Sequence, residues 1–166
     1  MTTRRALRFW PLGLIVLLAD CATKRLAEKH LAPGIPEQVA GDVIQLTLTY
    51  NTGAVFGIPL GSVARVVLIL VALGVLAVLL NLYRRTEPHD WWRTVSLALL
   101  CAGAVGNLLD RVRSPRGVVD FIDIGLGALR FWTFNVADMA VTVGAVMLAI
   151  SLWREEKEHA ARGARA

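Results

Sequence analysis

Hydrophobic and polar positions divide the chain into four apolar runs separated by charged segments. Uncharged stretches cover Phe9–Ala19, Val66–Tyr83, Thr94–Leu109 and Met139–Trp153, of 11, 18, 16 and 15 residues. A helix that crosses a bilayer needs about 20 residues, and only the second run comes near that length alone. The other three reach it by taking in residues at one end: Asp20 to about Leu26 for the first, Asp110 for the third, and Phe131 to Asp138 for the fourth. The pattern predicts an all-α membrane protein of four transmembrane helices, over about 9–26, 63–83, 94–110 and 135–153, in a single domain spanning 1–166. Each extended span carries a carboxylate inside or at the edge of its apolar layer. Consecutive spans alternate in direction, so Asp20, Asp110 and Asp138 belong to one membrane face.

Two longer segments, about 27–62 and 111–134, lie on that same face. In the first, Pro33, Gly34, Pro36 and Gly41 mark turns, and residues 43–50 (Val-Ile-Gln-Leu-Thr-Leu-Thr-Tyr) alternate like a half-buried strand. The segments are expected to form a small cap on the bundle, and the charged stretch after Trp153 a helical or frayed tail.

Composition agrees with a lipid environment. Apolar residues make up 55% of the chain and charged residues 19%, with a mean hydropathy of +0.55, against about 25% charged in a soluble domain. The net charge of +5 is spread without a basic block, so no nucleic-acid partner is expected. Ten Lys and Arg lie on the side of both termini and the 84–93 loop, against eight on the carboxylate side, where eight acids cancel them. This bias favours cytoplasmic termini and an extracytoplasmic carboxylate face. Trp10, Tyr83, Trp91, Trp92 and Trp153 then belong to the inner aromatic belt, and Phe131, Trp132 and Phe134 to the outer one. Arg4, Arg5 and Arg8 before Phe9–Ala19 imitate a secretory signal, but Asp20 stands where cleavage before Cys21 would need a small neutral residue, so the first helix is expected to be retained.

The polar residues of the carboxylate face are the candidates for chemistry, because ionisable groups in a membrane are costly. Asp20 and Lys24 have the acid-first i,i+4 spacing of a self-neutralising pair. Asp110 has Arg111 beside it and Asn107 on the same helical face, which suits a supporting role. Asp120, between Val118-Val119 and Phe121-Ile122, and Asp138, opening the fourth span, have no basic residue within three positions. Brought together, these two carboxylates would share a proton, one activating water and the other protonating a substrate oxygen; the plainer alternative makes Asp138 a helix cap. His30, His89 and His159 have no Ser or Cys partner in a recognisable arrangement, and Cys21 and Cys101 sit in apolar runs, so no metal or other cofactor is expected.

Five stretches in order resemble the prolipoprotein signal peptidases, the signal peptidase II family of bacterial inner membranes: Asp20-Cys-Ala-Thr-Lys24, Asn51-Thr-Gly-Ala-Val-Phe-Gly57, Gly103-Ala-Val-Gly-Asn-Leu-Leu-Asp-Arg111, Val118-Val-Asp-Phe-Ile122 and Phe134-Asn-Val-Ala-Asp138. The resemblance implies an aspartic endopeptidase that removes the signal peptide from diacylglyceryl-modified prolipoproteins, cutting before the lipidated cysteine. It implies Asp120 and Asp138 as the catalytic pair, with Asn51, Gly103, Asn107, Asp110, Arg111, Asn135, Ala137, Asp20 and Lys24 lining or supporting the site. It also implies four spans with a small extracytoplasmic β-rich cradle, lipid-modified precursors and membrane phospholipids as partners, and a monomer in the inner membrane. Cys21, Val55 and Ala102 depart from the family's usual residues. The alternatives are a small proton-coupled membrane transporter, motivated by the same acids, and an assembly subunit in which Gly74, Gly103, Gly106 and Gly144 are helix contacts.

Overall fold

A computed structural model describes residues 2–53 and 61–163. Four long helices, α1 (Thr2–His30), α2 (Gly61–Arg85), α3 (Trp91–Arg113) and α4 (Val136–Gly163), contain the predicted spans, and each is long and apolar enough to cross a membrane. They run past the uncharged cores because Lys and Arg side chains carry their charges to water from within a helix. Helix α1 stops before the Pro33–Gly34 turn, and α3 stops at Ser114, ahead of Pro115, whose ring disfavours helical backbone in the residue before it. The helical alternative for the charged tail holds as far as Gly163, where α4 ends.

Helix α3 is the centre of the bundle and packs against the other three. Phe9, Leu79, Leu97, Ala98, Leu100 and Cys101 form its core at the end away from the cap. Helix α2 presents Val63, Val66, Val67, Leu70, Val71 and Val78 outward, a surface that requires lipid.

The cap is a four-stranded antiparallel sheet in the order β1 (Glu37–Ala40), β2 (Ile44–Asn51), β3 (Val118–Leu126), β4 (Leu129–Arg130). Strand β2 realises the alternation at 43–50, and β3 opposes it with Thr49 against Asp120, Tyr50 against Val119 and Asn51 against Val118. Ala27 of α1 and Leu31, just past its end, pack with Leu48, Val119 and Phe121, fixing the sheet to the end of the bundle. After β4 the chain returns along β3: Phe134 N–H donates to Ile122 O (3.0 Å) and Phe134 O accepts from Ile122 N–H (2.8 Å). This pairing delivers Asn135 and the start of α4 alongside Asp120.

Candidate active site

Asp120 and Asp138 meet at the junction of sheet and bundle, and one residue joins them. Asn135 is wholly buried; its Nδ2 donates to Asp120 Oδ1 at 2.6 Å, and its backbone N–H donates to Asp138 Oδ2 at 3.2 Å. In return Asn135 Oδ1 accepts from the Asp138 N–H at 2.9 Å. That reciprocal pair is a capping box, with Asn135 at the N-cap and Asp138 three residues on. The capping role and the pairing of carboxylates are therefore one arrangement: the cap turns Asp138 toward Asp120, leaving Oδ1 to accept from Asn107 Nδ2 at 2.7 Å.

Behind the pair lies a buried ionic support. Lys24 is 3% exposed, and its ammonium sits 2.8 Å from Asp20 Oδ2, 2.7 Å from Asp110 Oδ2 and 3.1 Å from Asn107 Oδ1. Its charge thus lies within reach of three oxygens on α1 and α3. Asp20 pairs with Lys24 as its spacing predicts, while its Oδ1 accepts from the Ala137 N–H at 2.9 Å, tying the first helix to the last. Asp110, expected beside Arg111 and Asn107, takes Lys24 as its ion partner and receives the Val119 N–H at 3.3 Å. Arg111 donates to Asn107 O at 3.2 Å, lies within electrostatic reach of Asp120 and Asp138, and keeps its Nε buried with no partner among the described residues.

Small residues make these approaches possible. A Cβ on Gly103 would collide with the Ala137 carbonyl and Val141, and one on Gly106 would lie 2.5 Å from Asp20 Oδ2. Gly144 packs against Ser96 and Leu100 in the same way, whereas Gly74 faces open space. Asn51 is exposed at the end of β2, where its Oδ1 accepts from the Gly53 N–H at 2.9 Å and shapes the departing turn. The remainder of its stretch, residues 54–57, lies outside the described residues. Thr49 and Thr133 join the site unforeseen: their hydroxyls are 2.6 Å apart beside the Asp120 backbone. The strand was legible but not its partner, so nothing in the sequence marked either threonine.

Burial and a neighbouring charge act together on Asp120. Asp120 is 2% exposed; burial pushes its pKa up to about 6, the Asp138 charge adds to the rise, and the Asn135 and Asn51 amides and Lys24 oppose it. Four carboxylates (Asp20, Asp110, Asp120, Asp138) share the region with two cations (Lys24, Arg111), which favours retention of a proton. A carboxyl raised into this range can exchange protons with water and a carbonyl oxygen.

Comparison with known proteins places this architecture. Residues 12–154 match the family described as Signal peptidase (SPase) II. The chain is 40% identical over 149 residues to the lipoprotein signal peptidase of Pseudomonas putida, covering 88% of this chain and 86% of that one. It is 40% identical over 153 residues to that of Mycobacterium leprae, covering 89% and 72%. A solved bacterial membrane enzyme, determined by the in meso method at 2.3 Å resolution, superposes with a TM-score of 0.79 at 28% identity, covering 89% of this chain and 88% of its own. Four spans, a sheet docked on one end and a buried aspartate pair at their junction accompany a match over most of the sequence, and the chain belongs to the signal peptidase II family.

Proposed function

We propose that Asp120 and Asp138 are the catalytic dyad of a membrane aspartic endopeptidase that removes the signal peptide from diacylglyceryl-modified prolipoproteins, cutting before the lipidated cysteine. The observation that carries this reading is the Asn135 bridge: one buried amide residue holds both carboxylates at the end of a membrane-spanning bundle. The ionised member of the pair takes a proton from water as its oxygen attacks the scissile carbonyl. The protonated member gives its proton to the carbonyl oxygen. Collapse of the tetrahedral intermediate breaks the C–N bond, and the departing nitrogen takes a proton from the dyad. The guanidinium of Arg111, a partly exposed residue within electrostatic reach of both carboxylates, is the donor for a substrate carbonyl. Asn107, Lys24, Asp20 and Asp110 hold the pair in place, and Gly103 and Ala137 let α3 and α4 close around it.

The same reading puts the active site at the outer face of the bacterial inner membrane with both termini cytoplasmic, in keeping with the distribution of Lys and Arg. There the bond of a lipid-anchored precursor lies at headgroup depth, level with the ends of the spans. All groups assigned to the dyad and its support come from one chain, as a monomer requires. Neither the transport nor the assembly reading accounts for a paired, proton-retaining carboxylate site in a member of this peptidase family.

Cleavage of a diacylglyceryl-modified precursor by purified protein tests the assignment. Wild type is expected to cut with and without a chelator, while Asp120→Asn and Asp138→Asn, folded by thermal unfolding, are expected to be inactive. Turnover surviving in both variants would move the chemistry elsewhere.

A further inference from the structure

Between the sheet-side ends of α1 and α3 lies a cavity of about 270 Å³ whose charged lining is Lys24, Arg25, Glu28, Asp110, Arg113 and Arg116. Four cations and two carboxylates face it, and the contacts divide the cations into two classes. Lys24 is held between Asp20 and Asp110. Arg116 is held by Glu28 at 3.0 Å and the Tyr50 hydroxyl at 2.8 Å, with its guanidinium over the Tyr50 ring. Arg25 and Arg113 are exposed and form no ion pair among the described residues. Two committed cations form the wall, and two uncommitted ones stand at the mouth.

The depth of this cavity selects its ligand. Leu18 lies seven residues before Arg25 on the same side of α1 and is 58% exposed, and Val112, next to Arg113, is 54% exposed. The mouth therefore opens where the apolar, lipid-facing surface of two spanning helices gives way to the polar cap. At that level the abundant anion is a phosphodiester, which guanidinium groups bind through paired N–H donors. We infer that this cavity is a binding site for the phosphate of an anionic phospholipid, with Arg25 and Arg113 as its ligands. A diacylglyceryl-modified cysteine carries no phosphate, so the site belongs to a bilayer lipid and not to the proposed substrate. Lys24 and Asp110 form its inner wall and also support Asn107 and Asp138, so an occupied site stiffens the support behind the dyad.

Native mass spectrometry of the full chain in detergent, titrated with phosphatidylglycerol, tests this without requiring turnover, so its outcome is independent of the catalytic assignment. One saturable lipid adduct is expected, weakened about tenfold or more by combined Arg25→Gln and Arg113→Gln. It should be unchanged by Arg85→Gln, an exposed cation at the opposite end of the bundle. Phosphatidylethanolamine should bind more weakly, and inorganic phosphate should fail to displace the lipid at equal concentration. Unsaturable adducts, or adducts of equal strength in the double variant, would overturn the site; displacement by inorganic phosphate would overturn the lipid as its ligand. If the double variant does not fold, Arg25→Gln alone, at an exposed position, gives the same reading with a smaller loss.

Discussion

Replacing Asp120 by Asn should abolish cleavage and yet stabilise the protein above pH 6. In the folded chain burial and the Asp138 charge raise the Asp120 carboxyl from 3.8 to about 6. A difference of about two units corresponds to about 3 kcal/mol at 1.36 kcal/mol per unit, with little solvent screening because Asp120 is 2% exposed. The folded state binds this proton more tightly than the unfolded state does. Stability therefore falls as pH rises from about 4 to about 6, and the whole penalty is present above that range. Asn carries no such penalty, keeps an oxygen for Asn135 Nδ2, and removes the like charge that faces Asp138. Thermal unfolding in detergent, followed by tryptophan fluorescence at a matched scan rate, should give a gain of several degrees for Asp120→Asn at pH 7.5 that vanishes near pH 4. Asp42→Asn, at an exposed position, should show no such trend. A gain independent of pH, or a variant less stable than wild type at pH 7.5, would refute the claim that Asp120 is held at an energetic cost.

Other perturbations probe the surrounding parts. Lys24→Met leaves the buried Asp20 and the partly buried Asp110 without their common cation and should cost about 3–5 kcal/mol, seen as a collapse of folded yield or a large fall in Tm. Asn135→Ala removes the cap of α4 and the donor to Asp120; it should cost about 1–3 kcal/mol and most of the cleavage rate. Gly106→Ala drives a methyl to 2.5 Å from Asp20 Oδ2 and should destabilise by about 1–3 kcal/mol, whereas Gly74→Ala, facing open space, should leave Tm unchanged or slightly raised. Trp132, 85% exposed beside Leu129 and Phe131, should dip into the headgroup layer; lipids brominated near the glycerol should quench wild-type fluorescence more than that of Trp132→Phe.

How much of this was legible in the sequence follows from what each pattern depends on. The spans were readable because lipid-facing helices must be apolar along their length, and the acid-first spacing of Asp20 and Lys24 is a local signal that survives folding. Strand 43–50 was readable because apolar and polar residues alternate along it, with Leu46, Leu48 and Tyr50 packed toward α1. Strand β3 was not, since its first four residues, Val118 to Phe121, are buried on both faces, which removes the alternation that reports a half-buried strand. The partnership of Lys24 with Asp110 and the bridge by Asn135 were invisible for a different reason: residues 24, 107, 110, 120 and 135 meet only through the packing of α1, α3, β3 and the start of α4, and no spacing encodes a contact between elements. The helix-cap reading of Asp138 and its reading as half of a dyad looked like rivals from the sequence because a motif names a residue's neighbours without saying which way its second oxygen points.

The hydrogen bond from the Ala137 amide to Asp20 joins the first spanning helix to the last, and so it bears on the order of biosynthesis. A ribosome delivers Asp20 and Lys24 early and Asn135 and Asp138 near the end of translation. Until α4 enters the bilayer, Asp120 has neither its amide bridge nor its partner carboxylate, and the emerging polypeptide carries no dyad. On the proposed assignment the site is consequently complete only once the last helix is in place, whatever the order in which the other parts fold.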